Sequence, residues 1–345
     1  MSQRLIAVCI AGPLVLILGG IVLAVPLPYA SYSPGPTFDI LGKDADEAEL
    51  VQVDGHKAYY DEGQLRFTTV VASAHGDKLS LGDALARWVD EDRAVVPYDV
   101  VHPPDQSAED EEAEGAVQMT TSQDVAKAVA LEELGYDIPS AVQVALVAPD
   151  GPAKGKLLVR DIFEKVDGKT VKTADDVVKA VREHKDGSAV VFTIMREKRE
   201  LTVRIKPEIE DGTPRVGVHL GLGYEFPFTI NLRVDPTVGG PSAGLMFALA
   251  IYDTLTPGSL TGGQTVAGTG ELLPDGSVGA IGGIEQKIAG AEEAGAELFL
   301  VPEENCADVR DIDTDLRLVK ASTMHDARVA IQRWARDHDA KLPTC

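Results

Sequence analysis

A serine at a Gly/Pro break and a lysine on an apolar helix face are the residues of this chain best suited to chemistry. The serine lies in Val238-Gly239-Gly240-Pro241-Ser242-Ala243-Gly244. The lysine follows 45 residues later, in Gly282-Gly283-Ile284-Glu285-Gln286-Lys287. A serine hydroxyl that attacks a carbonyl needs a base, and a lysine amine serves as one only when its charged form is disfavoured. Placing Ile284 at zero and advancing about 100° per residue puts Ile284, Ile288, Ala291 and Ala294 in one arc, with Lys287 inside it. Glu285, Gln286, Glu292 and Glu293 fall opposite. The apolar arc of such a helix faces the core, so Lys287 points inward, where desolvation lowers an amine's pKa. The two preceding glycines place it in the first turns, where the helix dipole pushes the same way. The alternative is a lysine at the edge of the arc that snorkels to water.

The segment after Ser242, Ala243-Gly244-Leu245-Met246-Phe247-Ala248-Leu249-Ala250-Ile251-Tyr252, is apolar on every side and predicts a buried helix. Ser242 then sits at a helix N-terminus, and backbone N–H groups around Gly240, Ala243 and Gly244 are candidates to hold an oxyanion. Ser242 could instead be only an N-cap.

The two segments together resemble the proteolytic domain of the Lon family, peptidases with a Ser–Lys dyad. Gly240 to Gly244 matches the family's Gly-Pro-Ser-Ala-Gly, and Gly282 to Lys287 matches its Gly-Gly-(apolar)-x-x-Lys. The resemblance implies Ser242 as nucleophile and Lys287 as general base. Thr269-Gly270-Glu271 matches the family's Thr-Gly-Glu and implies that the Thr269 hydroxyl orients the lysine. Gly239 stands where many relatives carry Asp, and Thr229 to Val234 contains none of the histidines often found upstream. A phosphate-cradling Walker A loop is missing: Gly168-Lys169-Thr170 ends like one, but Phe163 occupies the required earlier glycine. An ATP-driven unfolding motor is therefore not expected.

Leu5 to Val25 carries no charge and is long enough, as a helix, to span about 30 Å of hydrocarbon. Arg4 precedes it and no basic residue follows until Lys43, which places the N-terminus in the cytoplasm and residues 30–345 outside. The segment is read as a retained single-pass anchor in the cell membrane. A cleaved signal peptide is the competing reading, with only a poor cleavage site at Pro28-Tyr29-Ala30. Cys9 is taken as a small membrane residue. Cys306 and Cys345 could pair in an oxidising compartment or stay reduced. The seven histidines, His75 and His102 among them, show no metal-ligand spacing and are read as ordinary, with no metal and no cofactor expected. The formal charge of −23 excludes the basic stripe that nucleic acid requires.

Residues 30–117 are expected to be extended and β-rich, with an acidic solvated loop over 105–115. From about Met119 to Pro207 the chain resembles PDZ domains. Leu157 to Gly168 follows the family's L-x-x-G-D-x-I-x-x-V-(N/D)-G, with Arg160 in the usual glycine's place. Thr173 is a natural N-cap for a helix with Val177, Val178 and Val181 on one side. The resemblance implies capture of an extended peptide at a sheet edge, with a carboxylate nest at Gly135-Tyr136-Asp137-Ile138, or else a module that only packs. The expected architecture is α+β and multidomain: a tip and transmembrane helix over 1–29, the region 30–117, a PDZ-like β-barrel with flanking helices over 118–208, and a Lon-type α+β proteolytic domain over 209–345. The function implied is ATP-independent cleavage of unfolded or extended extracytoplasmic polypeptides, by a homo-oligomer as in the family. A PDZ scaffold with a degenerate catalytic domain is the alternative. A Ser-His-Asp hydrolase using His219 lacks the Gly-x-Ser-x-Gly elbow.

Overall fold

Strands far apart in sequence build the sheet that carries the site. The computed structural model describes residues 3–90, 92–104 and 106–345, with residues 3–8, 23 and 24 described as backbone only. Across the main sheet the order is Arg317–Ala321, Leu298–Pro302, Thr265–Gly268, Gln64–Ala72, Tyr29–Asp39 and Ala94–Pro97. The first four run parallel, and the remaining pairings are antiparallel. A parallel pair needs a crossover, and helix Ile284–Glu293 supplies the one between Thr265–Gly268 and Leu298–Pro302.

The period of two along these strands sorts side chains to opposite faces. Val266, Leu298, Leu300 and Val319 face the larger core, together with Phe247 of helix Gly244–Leu255. Ala267, Phe299 and Val301 face Ile284 and Ile288 of helix Ile284–Glu293. The serine and lysine segments thus approach from the two sides of one sheet.

The expected acidic loop is largely helix. Asp105 lies outside the described residues, but Ala108–Glu133 forms a helix of 26 residues. Ser107 accepts from the Asp110 amide while the Asp110 carboxylate accepts from the Ser107 amide, a capping box. Glu109, Asp110 and Glu111 lie in its first turn, where the dipole favours negative charge. The charge run therefore starts a helix instead of interrupting one. From Ser122 to Leu131 this helix is buried at every position and packs against Gly244–Leu255.

The boundaries expected at 117 and 208 divide elements that the structure joins. The first cuts helix Ala108–Glu133. Strands from residues 29–97 share the main sheet with strands from 265–321. The smaller sheet runs Val218–Tyr224, Ser140–Val147, Ile162–Val166, Val190–Arg196 and Arg199–Ile205. Helix Ala174–Arg182, with a Thr173–Asp176 capping box, packs Val177 and Val181 into its core. The edge of Ser140–Val147 is covered by Val218–Tyr224. The expected nest at Gly135–Ile138 is a helix C-cap: the amides of Gly135 and Tyr136 are spent on the carbonyls of Glu132 and Leu131. Arg160 takes a left-handed φ of 71°, which explains why a glycine suits that position.

Residues Gln3–Ala24 form a helix. Among the described residues no helix is long and apolar enough to cross a membrane. The tip residues 1–2 and the anchor side chains of residues 3–8, 23 and 24 lie outside the described ones. Cys306 and Cys345 are joined by a disulfide.

Candidate active site

Gly240 adopts a φ of 88°, a conformation that a side chain would resist, and turns the chain into Pro241-Ser242. The loop is braced from the long helix. The Gly240 amide donates to Gly115 O at 3.1 Å, and Ser122 Oγ donates to Pro241 O at 3.0 Å. Ser242 does not cap the following helix. Its N-cap is Ala243, which makes no side-chain cap bond, so the hydroxyl is left for other contacts. Of the expected oxyanion amides, Gly240 is committed to Gly115 O and Gly244 to Pro241 O. The Ala243 amide, and that of Ser242 itself, donate to no carbonyl among the described residues.

Lys287 lies one turn into helix Ile284–Glu293 and is 2% exposed. Its helix begins at Gly283, whose φ is 69° and where a Cβ would come within 2.7 Å of Val70 Cγ1. Asn305 clamps the preceding loop through Ile281 N (2.9 Å) and Ile281 O (3.1 Å), beside the Cys306–Cys345 disulfide. Lys287 Nζ stands 2.8 Å from Ser242 Oγ and donates to Thr269 Oγ1 at 2.9 Å. Thr269 Oγ1 donates its single proton to Ser242 O at 3.0 Å, so toward the lysine it can only accept. Thr269 directly follows strand Thr265–Gly268, so the three side chains meet at that strand's carboxyl end. Among the described ion pairs none involves Lys287, and burial pulls its amine down to about 7.

The site opens into a cavity of about 300 Å³. Its walls include Pro36, Phe38, Thr68, Val70 and Val71 as well as Thr237 to Gly240. Nothing in the sequence singled out the residues of 36–71, because strand Gln64–Ala72 joins Thr265–Gly268 only through a long-range parallel pairing. Gly115 and Ser122 were likewise hidden in a helix whose partner is not local. His219 is exposed, on a strand of the smaller sheet.

Residues 236–328 match the family model of the Lon protease (S16) C-terminal proteolytic domain, which covers Ser242, Thr269 and Lys287. This segment is similar to the Lon proteolytic domain. Residues 116–206 match the PDZ domain family. The Lon protease of Fusobacterium nucleatum subsp. nucleatum is 40% identical over 78 residues, which are 23% of this chain and 10% of that protein. The Lon protease of Phenylobacterium zucineum is 30% identical over 145 residues, 41% of this chain and 18% of that protein. The chain thus spans less than a fifth of the length of these relatives. The PDZ domain of the SdrC-like protein of Listeria innocua is 27% identical, covering 23% of this chain and 92% of that one, with a TM-score of 0.22.

Proposed function

We propose that this chain is an endopeptidase in which Ser242 and Lys287 form a catalytic dyad that works without ATP on extended polypeptides. The observation that carries the reading is the buried amine of Lys287, 2.8 Å from the Ser242 hydroxyl and without a carboxylate partner among the described residues. With the amine neutral, one N–H donates to Thr269 and the lone pair accepts the Ser242 proton as Oγ bonds to the scissile carbonyl carbon. The tetrahedral oxyanion is held by the free amides at Ser242 and Ala243. Lys287 then returns the proton to the leaving amine, and water hydrolyses the acyl-enzyme by the same relay.

The chain is held at the cell membrane by its N-terminal helix, with the N-terminus in the cytoplasm and the protease outside. Two features support this. Helix Leu81–Val89 exposes Leu81, Leu85, Trp88 and Val89 and is tied to the end of the apolar helix through Leu27 N–Leu79 O. An exposed Trp beside an apolar face suits the bilayer interface. The Cys306–Cys345 disulfide suits an oxidising compartment. The PDZ unit positions the protease through helix Ala108–Glu133, and a peptide adding to its sheet would pair with Val218–Tyr224. The assembly is a homo-oligomer, as in the family.

The test is cleavage of casein by the full chain in detergent, with and without ATP, for wild type, Ser242→Ala and Lys287→Ala. Wild type should cut equally in both conditions and label with a serine-reactive probe, and neither variant should cut. Undiminished cleavage by Ser242→Ala removes the dyad, and a requirement for ATP removes the motor-free reading.

A further inference from the structure

The side chains of His75, His102 and Glu111 converge from three separate segments. His75 follows strand Gln64–Ala72, His102 follows the short helix Tyr98–Val101, and Glu111 lies in the first turn of helix Ala108–Glu133. One ligand atom from each lies within 4.8 Å of the others. We propose that these three residues bind a divalent transition-metal ion of the zinc class.

The hydrogen bonds around His102 point to a cation. This ring is 6% exposed, and its Nε2 lies 2.9 Å from Ser73 O, an acceptor, so Nε2 carries a proton. In the neutral ring Nδ1 is then a lone pair. Nδ1 nevertheless lies 2.9 Å from Glu111 Oε2, and His75 Nδ1 lies 3.1 Å from Glu111 Oε1. His75 can donate to the carboxylate from a neutral ring with its proton on Nδ1, but His102, whose proton points at Ser73 O, faces Glu111 either as a doubly protonated ring or with a metal ion between them. A metal-bound histidine characteristically donates its other ring N–H to a carbonyl, as His102 does to Ser73.

The geometry fits with small movements. Zinc bonds nitrogen and oxygen at about 2.0–2.2 Å, which separates tetrahedral ligand atoms by roughly 3.3 Å; the two nitrogens stand 2.9 and 3.1 Å from the Glu111 oxygens, and all three ligand atoms lie within 4.8 Å of one another. Imidazole and carboxylate ligands suit zinc better than calcium or magnesium, which favour all-oxygen shells. Three protein ligands leave a fourth position for water. Tyr98 braces the cluster: its ring lies 4.8 Å from that of His102, and its hydroxyl accepts from the Gly76 amide at 2.6 Å beside His75. The ion would pin the start of the helix that further along holds the Ser242 loop through Gly115 and Ser122.

The test uses the untagged full chain in detergent, stripped with a chelator and titrated with zinc chloride by calorimetry and thermal unfolding. One zinc ion per chain should bind and raise the unfolding midpoint. His75→Ala, at an exposed position that leaves the core intact, and Glu111→Gln should each weaken binding by at least about tenfold. The cobalt form should show the visible absorption of a tetrahedral site, and His75→Ala should lose it. No saturable zinc binding, or binding that both variants leave unchanged, overturns the proposal.

Discussion

Lys127 and Lys287 are both buried, 3% and 2% exposed, and burial pulls both amines down from their ordinary value. Their surroundings differ in one respect. Lys127 Nζ lies 2.8 Å from Asp124 Oδ1, in a network where Arg160 Nε reaches the same carboxylate at 3.0 Å and Gln143 Nε2 donates to its other oxygen at 2.6 Å. Burial alone would raise the Asp124 carboxyl, but the charges of Lys127 and Arg160 outweigh it and hold the group below its usual range. Lys127 and Asp124 pair within the long helix, and Arg160 and Gln143 tie that carboxylate to the smaller sheet and its loops. Among the described residues, Lys287 Nζ meets the hydroxyls of Ser242 and Thr269 and no carboxylate that would restore its charge. A buried lysine becomes a base where counter-charge is withheld, and a structural ion where it is supplied.

Four experiments test that contrast. Lys287→Met should lower kcat/KM for a peptide substrate by at least about 10³-fold, in the range seen when a dyad base is lost. The same change should raise stability in urea unfolding below pH 7, on the order of 1–3 kcal/mol. The sign follows because the amine is depressed to about 7 in the fold: the burial penalty is fully present below that pH and fades as pH rises toward 10.5. Lys127→Met should do the reverse. It leaves Asp124 with Arg160 alone and should cost about 3 kcal/mol or more, with turnover per folded molecule retained. If both substitutions destabilise alike, the distinction fails.

Thr269→Val removes both the acceptor for the Lys287 amine and the donor to Ser242 O and should reduce kcat by about 10- to 100-fold, with KM little changed, in the range of one or two lost buried hydrogen bonds. Finally, kcat/KM should climb about tenfold per pH unit on the acid side and level off above about pH 7, as Lys287 loses its proton. A flat profile between pH 5 and 8 would assign the base elsewhere.

Much of the site was legible because it rests on local rules. The 3.6-residue period placed Lys287 among Ile284, Ile288 and Ala291, and the structure buries all four. Thr173 caps the helix where its type and position indicated. The acidic run is a helix start where its charge alone suggests a solvated loop, and the signal is local too: Ser107-Ala108-Glu109-Asp110 spells a capping box. The oxyanion amides were only partly legible, because whether an N–H is free depends on a partner such as Gly115 O, 125 positions away in the chain. The histidines lacked any motif because their convergence with Glu111 comes from three segments folded together.

By itself the sequence determined the chemical inventory and its local presentation: a hydroxyl at a Gly-Pro turn, an amine on the apolar side of a helix, a threonine at a strand end. Backbone preference and hydrophobic period set these within a few residues of each position. Only the tertiary structure decided that Lys287 meets Ser242 and Thr269 with no carboxylate at hand among the described residues, while Lys127 meets Asp124. Desolvation and Coulomb interaction depend on every neighbour in space, and those neighbours arrive from strands and helices that the chain order leaves far apart.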